Sequence, residues 1–288
     1  MEPYNATVER QAFVLEGNIN DTVNSLRFLA DRLSPLRDCG NDSPLTLDIS
    51  RVKYLGPDGA TMLCGSVLEA RNRGIDIDVR WPEEPPALEA FINFSGLRHF
   101  LAAQALPDQQ HPENVTVALR NFEQSRVNDS DPILELIARF KSISEKLRES
   151  LEIAVNETVQ NIADHSHSSI GGWGCARFMA RDGEVRVSLM DWGDGILTTL
   201  RRRHPDTSSD RQALERVLFG GYSALSRRNN LGRGIDNLRM VVTKAMGGKL
   251  FILSGYAAVE AKANGEPRYS DLEHGFRGTA VCFSMPVD

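Results

Sequence analysis

LRESLEIAVNETVQNIADHS, residues 147–166, is the stretch on which the fold turns. Leu147, Leu151, Ala154, Val155 and Ile162 fall on one stripe at roughly 100° per residue, so the segment reads as an amphipathic helix. Glu157, Asn161 and His165 step by four and line up along one side. On the same angular count Glu157 lies at the edge of the apolar stripe, Asn161 closer in and His165 within it. A solvated charged face would point the other way. Polar groups at a buried edge need partners. Hydrogen bonds inside the fold are one source of them, and a ligand or ion is another.

Three glycine-bearing stretches follow. In SLMDWGDGI (188–196) Asp191 closes an apolar strand, ahead of Gly193 and Gly195. A carboxylate at a strand end can accept a hydrogen bond from an exocyclic amine. The glycines let backbone approach a flat base, although a tight turn explains them equally well. In NLGRGIDNLRMV (230–241) Gly232 and Gly234 precede a helix, with Arg227, Arg228 and Arg233 nearby. Glycines there free backbone N–H groups for a phosphate. In GFRGTAVCFSMPV (275–287) Gly278 and Thr279 open an alternating terminal strand.

Outward from this core the chain alternates strands and helices. AFVLEG (12–17), LTLDIS (45–50) and IDIDVRW (75–81) read as strands. Helices are expected from Asp21 through Leu33, over 58–72 and near Leu88–Phe94. Periodicity lapses around Pro107–Glu113, which places a linker at 107–113 between domains of 1–106 and 114–288. NVTVALRNF (114–122) reads as a strand. Asp131-Pro132 opens a helical stretch with a break near Lys141–Ser144. Strands are expected at 174–180, 184–191, 249–254 and 278–286, and a helix at 234–246.

The chain has 288 residues, 41% hydrophobic and 25% charged, as in globular proteins that bury a core. It shows no apolar run of membrane-spanning length and no secretory leader pattern. Cys39, Cys64, Cys175 and Cys282 form no CxxC pair, so reduced thiols in a cytoplasmic protein are expected. Net charge is −6, which speaks against nucleic acid as a partner. From Ile196 to Lys249, however, 11 Lys and Arg face 4 Asp and Glu. That is a local anion site or simply a solvated basic surface.

In order and spacing, the four motifs resemble the GHKL ATP-binding fold of gyrase, the heat-shock chaperone, histidine kinases and MutL. Glu157-Asn161-His165 looks like the N box and Asp191-x-Gly193-x-Gly195 the first glycine box. Gly232-x-Gly234 looks like the second, and Gly278-Thr279 like the last. The resemblance spans about 112–288 and implies an α/β sandwich, a mixed sheet covered by helices. It implies ATP and Mg²⁺ as cofactors, with Asn161 as the metal ligand, Asp191 as the adenine reader and Thr279 as its helper. His165, Ile196, Arg233 and the glycines join the nucleotide site, and 197–231 would be a mobile lid. The sequence departs from the pattern where Asp236 and Asn237 follow Ile235.

Residues 131–150 hold no histidine that could accept a phosphoryl group, which speaks against the histidine kinases. The chain stops at Asp288 just past its last expected strand, which speaks against the branches with a transducer domain. The motif set is most similar to the anti-sigma-factor serine kinases, in which the N-box glutamate, here Glu157, is the general base. FVLEGNI, LTLDISRVKYLGPDGATML, IDIDVRWP and ALEAFINFSGLRHFL resemble a STAS domain over about 8–106. Where such domains carry a phosphorylatable hydroxyl, this chain has Asp58, which also suits a helix N-cap. The resemblances imply a serine/threonine kinase or slow ATPase acting on a STAS-type or sigma-factor-type regulator. An ATP-gated binding switch is the alternative, and a homodimer is left open.

Overall fold

Strand β1 (Gln11–Ile19), helix α1 (Val23–Leu33), strand β2 (Leu45–Leu55), helix α2 (Pro57–Asn72) and strand β3 (Ile77–Arg80) open the chain. They belong to a computed structural model that describes residues 11–19, 23–34, 36, 44–102, 116–122, 130–165, 167–219 and 234–288. The strands pair in parallel in the order β1-β2-β3. A helix between successive strands is what parallel pairing requires. Helices α3 (Pro86–Phe94) and α4 (Leu97–Ala102) follow, of which only the first is predicted from the sequence pattern.

The second sheet is built from β4 (Thr116–Phe122), β5 (Gly172–Met179), β6 (Glu184–Asp191), β7 (Lys249–Lys262) and β8 (Arg268–Pro286). Between them run α5 (Asp131–Ala138), α6 (Glu145–His165), α7 (Gly195–Arg201), α8 (Asp210–Phe219) and α9 (Gly234–Arg239), the last continued by a π-helical turn over Met240–Ala245. Strand order is β4-β5-β6-β8-β7, and every pairing is antiparallel. This corrects the mixed sheet expected from the sequence. β5–β6 and β7–β8 are hairpins, and β8 returns antiparallel beside β6, so among the described residues no strand of this sheet acquires a parallel neighbour. The expected linker at 107–113 lies outside the described residues.

The two sheets share a core. One face of the five-stranded sheet, with Val185, Val187, Leu189, Ile252 and Phe283, packs against α6, α8 and α9. The other face, with Trp173, Cys175, Met190, Leu253 and Cys282, packs against α1 and α2. The molecule is therefore four layers deep: three-stranded sheet, α1 and α2, five-stranded sheet, outer helices. Helix α2 is buried nearly all round because it has a sheet on either side. Its glycines make that possible. A Cβ at Gly59 would come within 2.6 Å of Leu55, and one at Gly65 would overlap the Trp192 ring. Polar ties cross the same boundary. Arg277 meets buried Glu69 at 3.2 Å, the His274 N–H donates to Asp31 at 3.0 Å, and Arg27 donates to the Asp271 carbonyl at 2.5 Å.

The described part of the expected lid over 197–231 carries two helices. Residues 195–219 form α7 and α8, anchored by buried Leu200, Ala213, Leu214, Val217 and Leu218. Arg201 donates to the Thr207 and Ser208 carbonyls, and Arg216 pairs with Asp206 at 2.5 Å. Much of the positive charge is thus spent inside the segment. The remainder of the expected lid, 220–231, lies outside the described residues. Cys64, Cys175 and Cys282 are buried thiols that form no disulfide, and Cys39 lies outside the described residues. Among the described residues no helix is long and apolar enough to cross a membrane.

Candidate functional site

A row of small and polar residues crosses one end of the five-stranded sheet. Gly172 pairs with Asp191, Asp191 with Thr279, and Thr279 with Ser254. Side chains alternate across a strand, so Asp191 shares the face of Val187 and Leu189, under the outer helices. Gly278 precedes Thr279 with φ +100, and a Cβ there would overlap the Asp191 carbonyl oxygen and stand 2.8 Å from its Oδ1. Gly195 has φ +73, and a Cβ there would stand 3.0 Å from Ser254 Oγ. The Ser254 hydroxyl accepts from the Ile196 N–H at 2.8 Å and donates to the Gly278 carbonyl at 3.0 Å. It therefore ties the first and last glycine motifs together. Ile196 itself is buried.

Asp191 is only 3% exposed and accepts from the Gly193 N–H at 2.9 Å. Burial pushes its carboxyl up to about 7, against the lowering effect of the Gly193 and Thr279 backbone groups and with a push from nearby Asp194. The folded chain therefore keeps a proton that the unfolded chain loses near pH 4. This carboxyl favours folding most at low pH, and its contribution fades as pH rises through about 7. Between pH 5 and pH 8 the wild type should lose roughly 2–3 kcal/mol relative to Asp191→Asn. Urea unfolding of both proteins at the two pH values measures it; parallel curves would contradict a buried, protonated Asp191.

The second cluster sits on α6. Glu157 and Asn161 face Gly234 at the start of α9. A Cβ on Gly234 would stand 3.1 Å from Glu157 Cβ, 3.2 Å from Glu157 Oε2 and 3.3 Å from Asn161 Nδ2. Glu157 Oε2 is buried and has no hydrogen-bond partner among the described residues. Ile162, one residue past Asn161, leaves no space for a Cβ on Gly172, the strand partner of Asp191. Through this contact α6 rests on the row that holds Asp191. The sheet end thus carries both clusters, with Ile162 between them.

No family model and no curated protein matches the chain.

The structure brings together Glu157, Asn161 and Gly234 in one group, and Asp191, Gly193, Gly195, Ile196 and Thr279 in the other. Gly232 and Arg233 lie outside the described residues, as does the side chain of His165, the last residue of α6. Sequence reasoning missed Ser254, although it ends the apolar run LFIL (250–253) before a glycine, as Asp191 ends SLM (188–190). It also missed Asp194, which accepts from Arg202 at 2.6 Å and lies 2.8 Å from His167 Nδ1. This surface network ties the loop after α6 to the first glycine box and α7. Among the described residues no group of three or more His, Cys, Asp or Glu side chains could hold a metal unaided.

Proposed function

We propose that the chain binds Mg·ATP at this sheet end and transfers the γ-phosphoryl group to a serine or threonine hydroxyl of a partner regulator. The observation that carries the reading is Glu157 Oε2. A buried carboxylate oxygen without a hydrogen-bond donor is costly, and this one lies beside a carboxamide and a glycine that yields space to both. Asp191, aimed from a strand end between glycines, would accept from the adenine N6 amine. Burial favours the neutral form of this carboxyl, and a donor such as the N6 amine would stabilise its ionised form.

Glu157 would take the proton of the acceptor hydroxyl as its oxygen bonds to the γ-phosphorus. The bond from that phosphorus to the β–γ bridging oxygen breaks, and ADP leaves. Asn161 offers a hard amide oxygen, a donor type that Mg²⁺ takes alongside substrate phosphates. Asn161 would hold the ion, which supplies neutralisation of phosphate charge when bound. The N-terminal layers offer no hydroxyl at the usual STAS acceptor position: Asp58 stands there, 2% exposed. The acceptor is therefore sought on another chain. One observation favours the switch reading alongside: Trp192, next to Asp191, packs against α2.

Calorimetric titration of the full chain with Mg·ATP should show binding. Asp191→Asn, which replaces an acceptor by a donor, should weaken it about ten- to hundredfold. Incubation with γ-labelled ATP and STAS-type regulators should then label the regulator and not residues 1–106. A wild type that binds no ATP overturns the proposal. Binding without transfer selects the switch.

A further inference from the structure

Asp191 and Trp192 are neighbours in sequence but serve opposite faces of the sheet. Asp191 lies with Thr279 and Ser254 on the side of the outer helices. Trp192 belongs with Met190 and Cys282 to the core shared with α1 and α2, and is 3% exposed. Its ring stands against the backbone of α2 at Gly65, where no Cβ could fit. Its Nε1 donates to Ser66 Oγ at 3.3 Å, and Phe276 meets it edge-on at 5.9 Å. A small gap beside the ring is lined by Leu33, Leu36, Glu69 and Arg277.

The backbone leaves Trp192 little independence from the carboxyl. The Gly193 N–H returns to Asp191 Oδ1, so Trp192 is the middle residue of a closed turn whose clasp is the Asp191 side chain. A ligand that engages that carboxyl acts on the clasp. An altered clasp turns the residue that wedges against α2.

We propose that nucleotide occupancy at Asp191 and the seating of α1 and α2 on the five-stranded sheet are coupled, with Trp192 as the joint. The proposal rests on the nucleotide reading above. Nucleotide fixes the Asp191–Gly193 turn in the form that seats Trp192, so it holds the N-terminal layers down. Linkage makes the effect reciprocal: disturbing the seat weakens nucleotide binding by the same factor. The N-terminal half is then a regulatory cover whose attachment reports the state of the pocket.

Three cysteines provide the readout. Cys64 on α2, Cys175 on β5 and Cys282 on β8 are all buried in the core between the layers. Burial pushes the Cys64 thiol well above its usual range, with Cys175 adding to the effect. Alkylation there requires the layers to part. Iodoacetamide labelling of the full wild-type chain, with peptides mapped by mass spectrometry, should slow at least about threefold at these positions when Mg·ATP is saturating.

Gly65→Ala places a methyl group where the indole sits, and should weaken ATP binding about tenfold. Ile77→Val in β3, a loss of buried volume remote from Trp192, should lower the melting temperature and leave ATP affinity unchanged. A wild type that binds ATP while its labelling rates stay the same overturns the coupling and leaves the nucleotide reading standing. So does a folded Gly65→Ala protein with wild-type affinity. A wild type that binds no ATP overturns both. Should Gly65→Ala fail to fold, the labelling rates of the wild type decide alone.

Discussion

Gly278→Ala should lower the melting temperature by about 10 °C or more and abolish ATP binding, the largest stability effect expected of any single methyl group here. Two costs add. The residue sits at φ +100, a conformation that strains L-residues by about 1–3 kcal/mol. Its new Cβ would also overlap the Asp191 carbonyl oxygen, which belongs to paired backbone in β6 and cannot swing aside as a flexible side chain could. Relief would require β6 and β8 to separate at the row that carries the pocket. Gly265 isolates the second cost. Its φ is +105, but a Cβ there meets nothing within 4 Å. Gly265→Ala should therefore show the strain alone, a loss of a few degrees with binding intact. Thermal denaturation of the two variants beside the wild type makes the comparison, and equal losses would remove the close approach of Gly278 to Asp191 as a structural constraint.

Glu157→Gln and Asn161→Ala should fail in different ways. The first keeps the size of the side chain and removes the base. Turnover should drop about 10²- to 10⁴-fold while ATP affinity changes by less than about threefold. The second removes the expected metal ligand, so the magnesium-dependent part of binding should shrink and turnover fall with it. ADP release followed in a coupled assay, together with titrations in magnesium and in chelator, separates the two. Wild-type turnover in both variants would take the chemistry away from α6. Glu157 Oε2, buried and without a hydrogen-bond partner among the described residues, makes a further point: with no charge to accommodate, the glutamine variant should be no less stable than the wild type.

Periodicity made most of the elements legible. The alternation of Leu45, Leu47 and Ile49 and the fourfold step of Glu157 and Asn161 are local, and the structure carries them as β2 and α6. What escaped is what depends on distant partners. Residues 210–219 carry Ala213, Leu214, Val217 and Leu218 on one side, yet the surrounding arginines suggested a local anion site or a solvated basic surface. Those arginines mostly bind carbonyls and acids of the same segment. The long hairpin of β7 and β8 was read as two short strands, because the buried positions of 255–277 include the alanines Ala257, Ala258 and Ala261, whose apolar signal in the sequence is weak. The glycines of the site were legible as glycines. Which atom each one makes room for was not, since Gly65 answers to Trp192 and Gly234 to Glu157, far away along the chain.

The layered build bears on how the chain can be divided. A fragment beginning near Thr116 keeps every residue of the candidate site, and a sequence-based design would choose it. It would also present Trp173, Met190, Trp192, Leu253 and Phe276 to water, because α1, α2 and, at Trp173, Phe100 of α4 cover them. An open apolar sheet face of that kind invites aggregation. Separate expression of the halves therefore selects for insoluble material, and a domain dissection would misreport a missing cover as a missing activity.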